Sequence, residues 1–111
     1  MPLTKHFPQF SSAQIAQIPA GTGATTIAGV TGQTVRVLYV AFTASVAGTV
    51  QFGQGSGPTA MSGVMTVATG VLYVFDHRDN PLITISGNAF VVTPASSANI
   101  AGYILYTQGE D

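Results

Sequence analysis

The chain has 111 residues, a formal net charge of −1 and no cysteine, so a single domain-sized core is expected and disulfides and thiolate metal sites are excluded. Only 6% of the residues are charged while 46% are apolar, against about 25% charged in an ordinary globular domain. Lys5, Arg36 and Arg78 are the only basic side chains apart from histidine and lie far apart, so neither a counterion-displacing patch for nucleic acid nor a polybasic membrane anchor can be assembled.

In chain order, the first segment reads as an arm. Residues 1–12 hold Pro2 and Pro8, which oppose regular structure, together with Lys5, His6, Phe7 and Phe10. Two phenylalanines are too apolar for a free tail, so an extended arm is expected to dock on a neighbouring subunit or on its own domain. The arm has no apolar run of signal-peptide type.

From Ala13 onward, Val, Ile, Thr, Tyr and Phe dominate, residues suited to a half-buried pleated surface. Strands are predicted over 14–18, 24–30, 34–45, 49–52, 59–67, 71–75, 82–86, 89–93 and 99–107. Gly, Pro, Asn and Ser clusters separate them, and nine short runs about ten residues apart mark a β-sandwich or barrel. Gly87-Asn88 between two apolar runs predicts a tight hairpin with a primed turn. Residues 37–75 carry no charge, but Gly48, Gly53, Gly55, Gly57 and Pro58 interrupt them. A membrane-spanning helix needs about 20 consecutive apolar residues, so a weakly charged sheet is expected instead.

The faces of the longest strands carry the functional expectation. In 34–43, Val35, Val37, Tyr39 and Ala41 alternate with Arg36, Leu38, Val40 and Phe42; in 99–107, Ile100, Gly102, Ile104 and Tyr106 alternate with Ala101, Tyr103, Leu105 and Thr107. A free antiparallel sheet shows one apolar and one polar face. Here both are largely apolar, so one fills a core and the other needs a cover, either a subunit interface or a loop or arm of the same chain. A folded monomer of this mass exposes on the order of 5,800 Å², more than its three basic and four acidic side chains can solvate.

Asp76-His77-Arg78-Asp79-Asn80-Pro81 is the one charged cluster. Its carboxylates and imidazole point in different directions along an extended segment, so a polar contact loop is expected rather than a metal site. The glycines at 21–23 and 53–57 lack the following helix that a phosphate-cradling loop requires. His6 and His77 are the only histidines, and of four acids two are terminal (Glu110, Asp111) and two share one loop. Neither a nucleophile with an oriented base nor a pair of flanking carboxylates can be put together from these, so no catalytic residue, cofactor or metal is expected.

Gly32-Gln33-Thr34-Val35-Arg36-Val37-Leu38-Tyr39-Val40, Ala47-Gly48-Thr49-Val50-Gln51-Phe52 and Met61-Ser62-Gly63-Val64-Met65-Thr66-Val67, followed by residues 83–92 and Ile100-Ala101-Gly102-Tyr103-Ile104-Leu105-Tyr106, resemble the jelly-roll decoration, or cement, proteins of tailed-bacteriophage capsids. The resemblance spans about residues 30–107 and rests on strand rhythm and glycines. It implies a homotrimer on the outside of the virion, assembled in the host cytoplasm. Such a trimer bridges copies of the major capsid protein and resists the pressure of packaged DNA. The combined expectation is an all-β antiparallel sandwich of jelly-roll type, with eight or nine short strands over 13–111 behind an extended N-terminal arm over 1–12. Its partners would be its own copies and the capsid, with no nucleic acid and no membrane. The rival expectation is a receptor- or glycan-binding tip domain of a phage fibre or baseplate, with its site at residues 76–80 or 53–57.

Overall fold

A computed structural model describes residues 12–110, so the arm contacts expected at Lys5, His6, Phe7 and Phe10 lie outside the described residues. Ten strand segments form: β1 (Gln14–Gly21), β2 (Thr25–Ile27), β3 (Gln33–Val46), β4 (Gly48–Gln54), β5 (Thr59–Ala60), β6 (Met65–Val67), β7 (Leu72–Asp76), β8 (Leu82–Ile83), β9 (Phe90–Ala95) and β10 (Asn99–Glu110). Sheet A has the order β1-β10-β3-β7, with β8 continuing along β3; sheet B has the order β2-β9-β4-β5, with β6 continuing along β4. All pairings are antiparallel. Counting β5 with β6 and β7 with β8 as interrupted strands leaves eight, exchanged between the two sheets in jelly-roll order.

Each predicted strand occurs, and one divides. Residues 59–67 split at Ser62 because its hydroxyl accepts the β4 backbone donor of Phe52 at 3.0 Å, while the Met61 and Ser62 amides both donate to the Phe52 carbonyl. The ladder resumes only at Met65 opposite Val50.

The predicted Gly87-Asn88 hairpin is corrected by the topology. β8 belongs to sheet A and β9 to sheet B, so the segment between them crosses the sandwich. Residues 85–88 close a turn through Asn88 N–H to the Ile85 carbonyl, 2.9 Å, with Gly87 alone at positive φ (87°). That places glycine at the third position of a type II turn, whereas a primed hairpin needs positive φ one residue earlier. The approach is pinned to sheet A by Thr84, whose N–H donates to the Val35 carbonyl (3.0 Å) and whose buried hydroxyl accepts Val35 N–H (2.9 Å).

The face assignment of β3 is also corrected. β10 pairs Leu105 with Tyr39 but Tyr106 with Val37, leaving Leu38 as an extra residue; a second extra residue, Ser45, falls between Ala44 and Val46. A bulge shifts the alternation by one. The inward residues are therefore Val35, Val37, Val40, Phe42 and Ala44, all buried. Tyr39 and Ala41 turn to the outside instead. β10 has no such slip among its central residues, and Ile100 and Ile104 are buried while Tyr103 is 39% exposed.

The core joins these side chains to Ile18, Ile27, Val50, Phe52, Val67, Phe90 and Val92. Phe75 of β7 links the layers, lying 5.9 Å from Phe42 in its own sheet and edge-on at 5.0 Å to Phe52 of the other; Phe52 in turn meets Phe90 at 5.7 Å. Aromatic contacts of this geometry add about 0.5–1.5 kcal/mol each beyond area burial.

Candidate interaction surfaces

The two outer faces of the sandwich differ in chemistry. Register places Thr26, Thr49, Gln51, Thr66 and Thr93 on the outside of sheet B, with Gly53, Ala60, Ala95 and the buried Val91 among them. Hydroxyl and amide groups there satisfy water without any charge. On the outside of sheet A, the row Ile15–Leu105–Tyr39–Asp76 crosses all four strands, and Gln17–Tyr103–Ala41–Val74 runs beside it. Leu72 stands opposite Thr43 at the end of the same face.

Ile15, Leu72, Val74 and Tyr103 are 68, 62, 46 and 39% exposed. They leave on the order of 400 Å² of residue surface open to water, the size of the largest, often functional, apolar patch on a typical monomer. The Tyr39 and Tyr103 rings stack at 5.9 Å with 20° between planes. The guanidinium of Arg78 lies 5.6 Å from the Tyr39 centroid, within cation–π range.

The polar loop is the rim of this face. Asp76 ends β7 opposite Tyr39. Its carboxylate accepts three bonds from Arg78: backbone N–H at 3.1 Å, Nε at 2.9 Å and Nη2 at 2.7 Å. The side-chain bond from Arg78, then its backbone N–H, hold the Asp76 carboxyl down at about 2, against an ordinary 3.8; the same bond raises the guanidinium. His77 N–H extends the ladder to the Leu38 carbonyl (2.8 Å), and Asn80 N–H closes the turn on the His77 carbonyl (3.1 Å). Asp79 is exposed beyond it. Asp76 and Arg78 are thus brought together, and Asp79 and His77 do not join them in a common site. Among the described residues no three His, Cys, Asp or Glu side chains converge on a point that could hold a metal ion.

At one end of the sandwich a groove of about 700 Å³ runs between the loop after β4 and the turn before β9, lined by Thr26, Gly55, Ser56, Pro58, Asn88 and Thr93 among others. Gly55 N–H donates to the Ala89 carbonyl (3.0 Å), and the Gln54 side-chain oxygen accepts Ile85 N–H (2.7 Å) and the Asn88 amide (3.3 Å). Those bonds hold the 53–57 loop against the turn. Residues 76–80 do not line this groove.

Sequence reasoning missed Ile15, Leu72 and Val74 as members of the apolar face. The signal was present: Leu72, Val74 and Asp76 alternate with the inward Tyr73 and Phe75. No family model matches the chain, and neither a curated protein nor a solved structure does.

Proposed function

We propose that this chain is a non-enzymatic virion protein of a tailed bacteriophage, which binds the outer capsid surface as a homotrimer and cements the head. One observation carries the reading: a jelly-roll sandwich leaves one outer face apolar while the other is polar and uncharged. A face of that kind is covered in the working state. The resemblance in residues 30–107 supplies the setting, and the scarcity of charge suits a subunit whose surface is largely shared with neighbours. In this reading the arm, with Lys5, His6, Phe7 and Phe10, reaches the major capsid protein, and the work done is mechanical.

The test uses phage heads stripped of the protein. Full-length chain added back should co-sediment with heads and raise the temperature at which they release DNA. Deleting residues 1–12 should abolish co-sedimentation while the sandwich stays folded. Binding by the truncated chain at unchanged affinity defeats the role given to the arm; no binding by the full chain defeats the capsid reading itself.

A second reading, a receptor- or glycan-binding tip domain of a fibre or baseplate, is favoured by the end groove. Its volume lies within the range of small-ligand sites, and Thr26, Ser56, Thr93 and Asn88 offer hydroxyl and amide groups within an otherwise apolar or glycine lining. Binding on a glycan array that is lost with Asn88→Ala, by a chain that ignores phage heads, selects this reading.

A further inference from the structure

We infer that the apolar outer face of sheet A is covered by the same face of further copies of this chain, so that the homotrimer closes through Ile15, Leu72, Val74, Tyr39, Tyr103 and Leu105. This deepens the oligomeric reading above and rests on it.

Three observations select a second copy over other occupants. The first is charge. Faces that converge on a symmetry axis meet their own copies, so a net charge on the face would meet itself and repel. The two charged groups that reach this face, Asp76 in its outer row and Arg78 over Tyr39, are paired with each other at 2.7 Å and cancel within one subunit, while Asp79 stands exposed in the loop beyond them.

The second is area. Ile15, Leu72, Val74 and Tyr103 supply about half of the ~800 Å² that each partner contributes to a standard interface. Tyr39, Leu105, Gln17 and Thr43, which lie between and beside them, make up much of the remainder.

The third is the edge. β1 is the outermost strand of sheet A. Over Gln14-Ile15-Ala16-Gln17-Ile18 it carries neither a charge nor a proline; Pro19 and the bulge before Gly21 come only after the regular pairing ends. An edge strand left exposed in a monomer is ordinarily defended by such devices. The apolar face runs without interruption onto this undefended edge through Ile15.

The experiment compares the purified full-length chain with Ile15→Lys and Val74→Lys, and with Thr93→Lys on the outside of sheet B as control. Mass is read by sedimentation equilibrium and folding by far-UV circular dichroism with a thermal melt. Wild type and Thr93→Lys should have three times the 11.4 kDa mass of one chain. The two sheet A variants should be folded monomers, with association weakened at least 100-fold.

A wild-type trimer that persists in both variants overturns the assignment of this face and leaves the trimeric reading standing. A monomeric wild type overturns both. Hydroxyl-radical footprinting of the unmodified chain, above and below the concentration at which it dissociates, guards against misfolded variants. Leu72, Val74 and Tyr103 should lose reactivity on association. Protection that appears there only on phage heads identifies the capsid as the occupant and overturns the inference.

Discussion

Asp76 shows how much one side chain can organise at the rim of a sheet. Three bonds from Arg78, the shortest 2.7 Å, fix the loop that follows β7 and lay the guanidinium toward Tyr39. Because those bonds favour the ionised carboxyl, its pKa falls to about 2 from an ordinary 3.8. A depressed value in the folded state means that the contribution to stability is fully present above the unfolded value and is lost as pH falls through the folded one. The window is therefore pH 4 to 2. The pair is solvent-exposed, so the effect on stability is small, and the titration itself is the sharper readout. An NMR titration of the Asp76 carboxyl carbon should give a midpoint near 2, returning toward 3.8 in Arg78→Ala. A wild-type midpoint at the ordinary value would mean that the two side chains are not held together in solution.

At the scale of elements, β10 and β3 come together closely at Gly102. Gly102 sits opposite Phe42, where a Cβ would overlap the Ala41 carbonyl oxygen and come within 2.6 Å of the Phe42 Cα. Both obstacles are backbone, so no rotamer change relieves them. Gly102→Ala has to force the two longest strands apart, at a cost of about 3 kcal/mol, the upper end of ordinary overpacking. Urea unfolding should show the midpoint lowered by that free energy divided by the slope, with the slope itself unchanged; a variant as stable as wild type would show that the strands are not so closely paired.

The same strands show what the sequence could and could not convey. Composition and turn spacing located every strand, because β-branched runs bounded by Gly and Ser are read locally. The inward face of β10 was legible for the same reason: Ile100 and Ile104 alternate without interruption. In β3 the alternation fails at Leu38, and nothing in Val37-Leu38-Tyr39-Val40 betrays a bulge, since all four residues suit either face. Only pairing with β10 across more than sixty residues reveals it. Gly87-Asn88 misled in the opposite way. Its residues are those of a hairpin, but Thr84 ties the approach to sheet A while Phe90 and Val92 pack in sheet B, a conflict of distant partners that no local window contains. The polar loop at 76–79 was found because charge is rare in this chain. The apolar face beside it was missed in part because Ile15, Leu72 and Val74 belong to strands far apart in sequence.

For the whole molecule, the question is what force would hold the proposed trimer together. Surface charge cannot: of the seven ionised side chains three lie on the loop that borders the apolar face, where Asp76 and Arg78 satisfy one another and the exposed Asp79 would meet only its own like-charged copies. Burial of Ile15, Leu72, Val74 and Tyr103 can, and it answers differently to solution conditions. At 0.1 M salt, charges separated by more than about 10 Å no longer feel one another, whereas apolar burial is strengthened by salts excluded from protein surfaces. The dissociation constant of the proposed trimer should therefore change by less than about twofold between roughly 50 and 500 mM sodium chloride, and should fall in sodium sulfate. Sedimentation equilibrium across the series measures both. Weakening of about tenfold with added chloride would assign the assembly to intersubunit ion pairs. Such pairs would have to break the Asp76–Arg78 contact or recruit charges from outside this face, and either would leave the apolar rows of sheet A without a role in association.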